Sequence, residues 1–172
     1  QWYLIARDAN NGCELWREKI DTKKGYVDKS FCADDKLVFC IEGAPNQLNE
    51  LVARDGNSGK IYRKYPISLG ASVTSLNDCL ITGGTIIEKE SGKIRWKKPA
   101  ICQSAGANDT VFVYDGKNVE AVKLSDGKTI WKIELEDFKL SNIYLRKIFS
   151  KADMIYIKIE SVESSTTRKY IL

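Results

Sequence analysis

One short sequence pattern occurs four times in this chain, and this repetition constrains the fold more than any other feature. Each copy passes through a turn that ends in glycine and enters a segment that carries a tryptophan in three copies. The copies are Ala6–Trp16, Ala53–Arg63, Ile86–Trp96 and Ala121–Trp131. Glycine suits such a turn because it adopts positive φ without steric cost, and neighbouring Asp, Asn and Ser side chains bond to their own backbone. Each copy therefore predicts a β-hairpin.

A second marker alternates with these glycines. It is an aspartate just ahead of a short apolar, β-prone run, found at Asp35, Asp78, Asp109 and Asp153. Strands are predicted to begin close to these markers, near Leu37, Leu80, Val111 and Ile155. The alternation places two hairpins in each period of about 39 residues, close to the roughly 40 to 45 residues of a four-stranded propeller blade.

The predicted fold class is therefore all-β, a β-propeller of four-stranded antiparallel blades. The chain holds about four blades' worth of sequence, and we expect it to be part of a larger or partner-completed propeller. A short helix is expected only within residues 135–147. The predicted repeats are half a blade at 1–20, one blade each at 21–68, 69–100 and 101–136, and a partial blade at 137–172.

The pattern AxDxxxGxxxW is complete at Ala6, Asp8, Gly12 and Trp16. It resembles the tryptophan-docking repeat of the pyrroloquinoline-quinone-like β-propellers, and the resemblance covers nearly the whole chain. That superfamily is similar in fold to quinoprotein alcohol dehydrogenases and includes many non-enzymatic members, among them a lipoprotein scaffold of outer-membrane assembly. The resemblance implies that the tryptophans pack against a neighbouring blade. The second copy departs from the pattern, because Arg63 stands where tryptophan is expected.

The residues singled out are structural positions in blade docking and turns, not catalytic or binding ones. They are Gly12, Trp16, Gly59, Gly92, Trp96, Gly127 and Trp131. The chain has no histidine, which excludes histidine-based nucleophilic and acid–base catalysis. No adjacent cysteine pair exists of the kind that the resemblance implies at a quinone cofactor, so no cofactor is predicted.

Metal binding is not predicted either. Asp8, Asn10 and Gly12 faintly match a calcium loop, as do Asp55 and its neighbours, but the donors and the closing glutamate of such a loop are missing. Five cysteines without CxxC spacing do not form a zinc set. They are predicted mainly as buried thiols, with a disulfide such as Cys32–Cys40 left as an alternative.

The two ends of the chain both align with the third strand of a blade, at residues 1–6 and 169–172. A duplicated third strand would leave an open edge that invites pairing. We therefore expect a protein partner or further blades to pair with a terminal strand, and a self-contained four-bladed ring is the alternative. No apolar run is long enough for a membrane span. The resemblance favours an extracytoplasmic or cell-surface location.

The net charge of +4 is spread along the chain, and the densest basic group is Lys93, Arg95, Lys97 and Lys98 around Trp96. Such a group either protects an exposed strand edge or forms a nucleic-acid patch, and the first is predicted, without a nucleic-acid partner. The predicted function is a non-catalytic binding or scaffold module that mediates protein–protein assembly. The alternative is a portion of an enzyme or carbohydrate-binding propeller whose site lies outside this chain.

Overall fold

A computed structural model of the 172-residue chain describes residues 2–20, 31–42, 50–66, 73–99, 105–135, 143–151, 154–163 and 166–171. These described residues form seventeen β-strands, and Leu135, at the end of one described segment, has 3₁₀-helical geometry. In chain order the strands are β1 (Trp2–Arg7), β2 (Glu14–Ile20), β3 (Phe31–Ala33), β4 (Leu37–Glu42), β5 (Glu50–Asp55), β6 (Ile61–Pro66), β7 (Val73–Leu76), β8 (Cys79–Thr82), β9 (Thr85–Glu88), β10 (Ile94–Lys97), β11 (Ala105–Ala107), β12 (Thr110–Tyr114), β13 (Asn118–Lys123), β14 (Thr129–Glu134), β15 (Ile143–Lys151), β16 (Met154–Glu163) and β17 (Thr166–Ile171).

The strands form successive sheets in which neighbours along the chain are also neighbours in the sheet. Three sheets have four strands each, namely β3–β6, β7–β10 and β11–β14. The described residues also form a two-stranded sheet of β1 and β2 and a three-stranded sheet of β15, β16 and β17. Each pairing whose register is described is antiparallel. The predicted all-β class with four-stranded antiparallel blades is confirmed.

The chain divides into two compact units, Gln1–Val73 and Thr74–Leu172. The first unit contains the sheets β1–β2 and β3–β6, and the second contains the sheets from β7 onward. The predicted repeat boundaries after residues 20, 68, 100 and 136 fall on stretches outside the described residues, so they stay a prediction. The short helix expected within 135–147 stays a prediction, since residues 136–142 lie outside the described residues; residues 143–147 lie in β15, so a helix does not extend to them.

Four strand starts agree with the sequence prediction to within one residue. Strands β4, β8, β12 and β16 begin at Leu37, Cys79, Thr110 and Met154.

The preceding turns differ in detail from the predicted role of the aspartates. Asn77 and Asn108, not the aspartates after them, have positive φ, of 49° and 55°. Asparagine tolerates this conformation because its short polar side chain bonds locally.

In the turn before β4, the capping residue is Asp34 and not the predicted Asp35. The Asp34 Oδ1 atom accepts hydrogen bonds from the backbone N–H groups of Lys36 and Leu37 at 3.0 and 2.9 Å. Asp153 lies outside the described residues. The sequence pattern located these turns, but it named the wrong side chain because adjacent acids and amides share the same turn chemistry.

The two inner strands of sheet β11–β14, β12 and β13, carry buried residues on both faces. Because side chains alternate along a strand, consecutive residues of β12 point to opposite faces. One face joins a cluster with sheet β7–β10, whose buried members are Cys79, Ile81, Ile86, Val111, Val113, Val122 and Leu124. The other face joins a cluster with β16, whose buried members are Phe112, Tyr114, Val119, Ala121, Leu135 and Ile157. Face-to-face burial of successive sheets is the packing of propeller blades.

A close approach accompanies this packing at β11. A Cβ added to Gly106 would clash with Cδ2 of Leu76 and lie 3.0 Å from Cδ1 of Ile81. The strand is Ala105-Gly106-Ala107, so its small side chains let it lie close to the neighbouring sheet.

Candidate functional site

The repeated hairpins share a β-bulge that orients the tryptophan position. In each hairpin the register of the strand pairing shifts just before the tryptophan position. The residues at that position are Trp16, Arg63, Trp96 and Trp131, and they pair with Ala6, Ala53, Ile86 and Ala121, respectively. The bulged residues are Leu15, Tyr62, Arg95 and Ile130, and the three apolar ones are 50–56% exposed. A bulge adds one residue to one strand and re-aims the side chains beside it. The fixed spacing from glycine to tryptophan therefore encodes a bulge, which sequence reasoning missed.

The turn before each bulge is held by the same backbone bonds. In the second copy, Asp55 N–H donates to the carbonyl of Lys60, and Gly59 N–H donates to the carbonyl of Asp55, both at 2.9 Å. The equivalent glycines Gly12, Gly59, Gly92 and Gly127 have φ values of 74°, 70°, 73° and 72°. This positive φ is open to glycine at no steric cost, which explains the glycine in every copy.

Carboxylates cap these turns. Oδ1 of Asp8 accepts the N–H of Asn10 at 2.7 Å, and Oδ1 of Asp55 accepts the N–H of Ser58 at 2.8 Å and its hydroxyl at 2.7 Å. The Ser58 hydroxyl, together with the backbone donors, holds the pKa of Asp55 below its usual value. The two segments that faintly match calcium loops thus use their carboxylates as turn caps. Within the described residues, no group of three or more Cys, Asp or Glu side chains is placed to hold a metal ion.

Trp16 contacts the turn of the following sheet. Its indole Nε1 donates a hydrogen bond of 2.7 Å to the carbonyl of Gly56. The ring lies on Gly59, since a Cβ added there would be 2.7 Å from Cδ2 of the indole. Two features therefore disfavour a side chain at position 59: the positive φ of the backbone and the indole ring that packs on it.

Trp96 makes the same contact in the second unit. Its Nε1 donates to the carbonyl of Leu124 at 2.8 Å, and a Cβ on Gly127 would be 2.9 Å from its Cδ2. Gly56 and Leu124 occupy the same place, three residues before the glycine with positive φ. The contact between tryptophan and turn therefore has the same geometry in both pairs of neighbouring sheets.

The peptide group that accepts the indole bond also ties its own sheet together. Gly56 N–H donates to the carbonyl of Lys36 at 2.7 Å, and Leu124 N–H donates to the carbonyl of Asp109 at 2.8 Å. Both acceptors lie in the turn between the first two strands of the same sheet. A residue at this position therefore bonds its own blade through N–H and the preceding blade through C=O.

Charged side chains two residues after each of these tryptophans reach the same neighbouring sheet. Glu18 Oε1 lies 3.8 Å from Nη1 of Arg54, a side chain with 6% exposure that also donates to the carbonyl of Gly59 at 3.1 Å. Lys98 Nζ lies 2.5 Å from Oε2 of Glu120 and donates to the Thr129 hydroxyl at 2.7 Å. Lys98 is the main cause of the lowered pKa of Glu120. No sequence pattern signals these pairs, because the two partners of each pair lie in different repeats.

Trp131 is half-buried and packs on the cluster that includes Ile157. Its ring centroid lies 5.9 Å from that of Phe112, with the planes tilted by 36°. Gly59 lies in the turn that follows the third strand of its sheet, and the third strand of the last sheet is β17, so the described residues hold no turn equivalent to it. Arg63, at the position where the second copy lacks tryptophan, is half-buried and pairs with Ala53.

The basic group around Trp96 lies on and beside β10, which is the end strand of its sheet. Arg95 is bound to two acids, with Nη2 at 2.6 Å from Oδ2 of Asp78 and Nε at 3.5 Å from Oε1 of Glu88. This arginine is the main cause of the lowered pKa of Asp78. Two of the four basic side chains, Arg95 and Lys98, are thus paired with carboxylates.

Four of the cysteines are free thiols in the structure, so the Cys32–Cys40 disulfide alternative is wrong. Cys40 and Cys79 are buried and Cys13 is exposed, whereas Cys102 lies outside the described residues. Burial raises the pKa of Cys79 to about 12.

Among the described residues there is no helix with the length and apolar character needed to cross a membrane.

Antiparallel four-stranded sheets stacked face to face and joined by tryptophan–turn contacts define a β-propeller, and the chain has the pyrroloquinoline-quinone-like propeller fold. No protein-family model matches the chain, and no curated protein matches its sequence. Among solved structures it is similar to BamB from Moraxella catarrhalis, with 17% identity and a TM-score of 0.57 over 99% of this chain. The chain spans 52%, about half, of that BamB chain. It also matches glutaminyl cyclase from Myxococcus xanthus, with 14% identity and a TM-score of 0.48, over 99% of this chain and 83% of that one.

Proposed function

We propose that this chain is a non-catalytic β-propeller module that acts as a scaffold in protein–protein assembly. In this proposal a protein partner, or further propeller blades, pairs with a terminal strand of the chain. The fold supports the proposal because propellers offer rigid sheets that present edges and loops to partners. The likeness to BamB supports the fold and not the partner.

One observation carries the proposal: in the part of the chain that the structure describes, two sheets have fewer strands than the three four-stranded ones. Among the described strands, β17 pairs only with β16, and β1 pairs only with β2. A strand at a sheet edge presents backbone N–H and C=O groups that can pair with an incoming strand. Such pairing gives affinity through main-chain hydrogen bonds and selectivity through alternate side chains.

The state of the acidic side chains supports a module without catalysis of its own. A general acid or base works best when its pKa lies near the pH of the reaction. The pKa values of Asp78, Glu88 and Glu120 are all lowered, through hydrogen bonds from Arg95, Ser91 and Lys98 respectively. These carboxylates are therefore ionised and already bonded near neutral pH.

We also propose that the glycines and tryptophans of the repeat serve structural roles only. In this proposal Gly12, Gly59, Gly92 and Gly127 form the turns, and Trp16, Trp96 and Trp131 dock one blade on the next. The hydrogen bonds of Trp16 and Trp96 to the following sheets support the docking role. The contact of Trp131 with Phe112 and the Ile157 cluster supports it for the third tryptophan.

Mass in solution together with amide hydrogen exchange tests the assembly proposal. We expect either a monomer in which amides of β1 and β17 exchange rapidly, or an assembly in which they become protected. A monomer with both strands strongly protected would mean that the two ends pair with each other, and the partner proposal would be overturned. Exchange in the four-stranded sheet β11–β14 provides the internal reference, because its central strands are buried.

A further inference from the structure

Four turns of the described residues share one backbone geometry, and we call them acceptor turns: Asp8–Gly12, Asp55–Gly59, Glu88–Gly92 and Lys123–Gly127. In each, the glycine N–H donates to the carbonyl four residues earlier at 2.8 to 2.9 Å, and the glycine has positive φ. The turns therefore present the same surface, a bare glycine and a carbonyl three residues before it.

Two acceptor turns are filled within the chain. Trp16 covers Gly59 and bonds to Gly56, and Trp96 covers Gly127 and bonds to Leu124. In both pairs the residue two positions after the tryptophan carries a charge opposite to one on the receiving sheet. Glu18 meets Arg54, and Lys98 meets Glu120. The tryptophan thus makes the contact that both pairs of sheets share. The charged side chain two positions after it can favour one receiving sheet over another through the sign of its charge.

The first acceptor turn is formed but open. No atom of the described residues lies within 4 Å of a Cβ built on Gly12, whereas an indole fills that space at Gly59 and Gly127. Gly12 and Ala9, the equivalent of Gly56, are exposed. Asp8 already caps the turn through the N–H groups of Asn10 and Asn11, so no rearrangement is needed to receive a ring.

Arg7 stands at the position of Arg54 and makes the same backbone contact. Its Nη1 donates to the carbonyl of Gly12 at 2.8 Å, as Arg54 Nη1 does to the carbonyl of Gly59 at 3.1 Å. Arg54 is covered, with 6% exposure, while the side chain of Arg7 is 57% exposed. Nη2 of Arg7 lies 3.7 Å from Oε2 of Glu14 on the same hairpin. The guanidinium stays largely exposed beside this pair, so a further acidic side chain can approach it, as Glu18 approaches Arg54.

We propose that the acceptor turn Asp8–Gly12 is a docking site for an outer propeller strand that carries tryptophan followed two positions later by aspartate or glutamate. The strand belongs to a polypeptide segment other than these 172 residues. A second copy of the chain does not fit this chemistry. Trp2, Trp96 and Trp131 are followed at the second position by Leu4, Lys98 and Ile133, and Trp16 with Glu18 is engaged within its own chain.

This inference rests on the proposed function, since it names a surface and a partner chemistry for the same assembly module. It concerns the face of the β1–β2 hairpin rather than the free edges of β1 and β17. The two proposals can therefore fail separately.

The test is a nuclear magnetic resonance titration of the whole chain with a capped peptide that has the sequence of residues 14–20, Glu-Leu-Trp-Arg-Glu-Lys-Ile. We expect saturable shifts at the amides of Ala9 and Gly12. A peptide with alanine in place of the tryptophan should bind at least about tenfold more weakly, because the ring supplies the main contact. Absence of saturable shifts, or equal shifts with the alanine peptide, would overturn the inference.

Two variants and a matched control sharpen the test. Gly12→Ala places a Cβ where the indole would lie, and should abolish the shifts at Ala9. Arg7→Glu should weaken the parent peptide about tenfold and favour a peptide with lysine in place of its second glutamate. Lys19→Glu, a charge reversal elsewhere on the same hairpin, should leave the affinity unchanged. If Lys19→Glu weakens binding as much as Arg7→Glu, the contact is a general charge effect and the specific site is excluded.

The outcome separates the two proposals. Failure of the titration with rapid exchange at β1 and β17 would remove the docking site and leave the strand-pairing scaffold. Saturable docking at Ala9 and Gly12 in a monomer with β1 and β17 protected would keep the site and remove strand pairing at the ends. Concentration-dependent self-association that Gly12→Ala abolishes would identify a second copy as the occupant and overturn the assigned partner.

Discussion

The indole of Trp16 lies on Gly59 so closely that a Cβ on the glycine would be 2.7 Å from Cδ2 of the ring. The two residues belong to different sheets, and the same contact recurs between Trp96 and Gly127. In both cases the tryptophan of one repeat packs on the glycine of a later repeat.

Gly59→Ala should lower the free energy of unfolding more than Gly12→Ala. Both substitutions place a side chain at positive φ, which costs about 1 to 2 kcal/mol. Only at Gly59 does the added Cβ also displace an indole, so overpacking should add about 1 to 3 kcal/mol there. Urea unfolding of the two variants measures the difference. Equal losses would mean that the ring moves away without cost.

Trp96→Phe and Trp96→Ala should separate the hydrogen bond of the indole from the packing of its ring. Phenylalanine keeps most of the ring and loses the bond to the carbonyl of Leu124, a loss of about 1 kcal/mol. Alanine also removes the ring from the cluster of Val111 and Val122, so the loss should reach about 3 kcal/mol. Trp131→Ala should cost a similar amount through its contact with Phe112. Thermal unfolding at the wild-type midpoint for all these variants would exclude a docking role.

Gly106→Ala should destabilise the second unit by about 1 to 3 kcal/mol, because its Cβ would clash with Leu76. Shortening that partner should relieve the clash. The double variant Gly106→Ala with Leu76→Ala should therefore lose less stability than the sum of the single losses. Strict additivity in denaturant unfolding would show that β11 can shift away from the neighbouring sheet.

Glu120→Gln should lower stability at neutral pH by about 1 kcal/mol, since it breaks the pair with Lys98. The pKa of Glu120 is lower in the folded chain than its ordinary value of 4.5. The pair therefore stabilises the chain fully above that value, and its contribution is lost as the pH falls through the lower folded pKa. Unfolding curves for the two proteins should be apart at pH 7 and converge in acid. A constant difference across this range would contradict the ion-pair explanation.

The cysteines should differ sharply in reactivity toward a thiol reagent at pH 8. Cys13 is exposed, whereas Cys79 is buried and has its pKa raised to about 12, so little of its reactive thiolate is present. We expect rapid labelling of Cys13 and labelling of Cys79 only after denaturation. Peptide mapping by mass spectrometry assigns the labels, and rapid labelling of native Cys79 would show that the β7–β10 sheet opens readily.

Local chemistry made much of the fold predictable from the sequence. The glycines mark positive φ, the β-prone runs mark strands, and the strand starts at Leu37 and Val111 agree with β4 and β12 to within one residue. Within a turn the prediction was less sharp. Asp34 caps where Asp35 was expected, and Asn77 and Asn108 take the positive φ, because neighbouring acids and amides compete for the same local bonds.

The contacts of the candidate site were decided by the tertiary structure. Trp16 and Gly56 are 40 positions apart, Trp96 and Leu124 are 28 apart, and Lys98 and Glu120 are 22 apart. Residue types and local spacing give a tryptophan its bulge and a glycine its turn, because those depend on backbone preferences within a few residues. Which tryptophan covers which glycine, and which charge faces Arg54, depends on how whole sheets stack. Stacking is a sum of many weak contacts between distant segments, so it is fixed only once the sheets have packed.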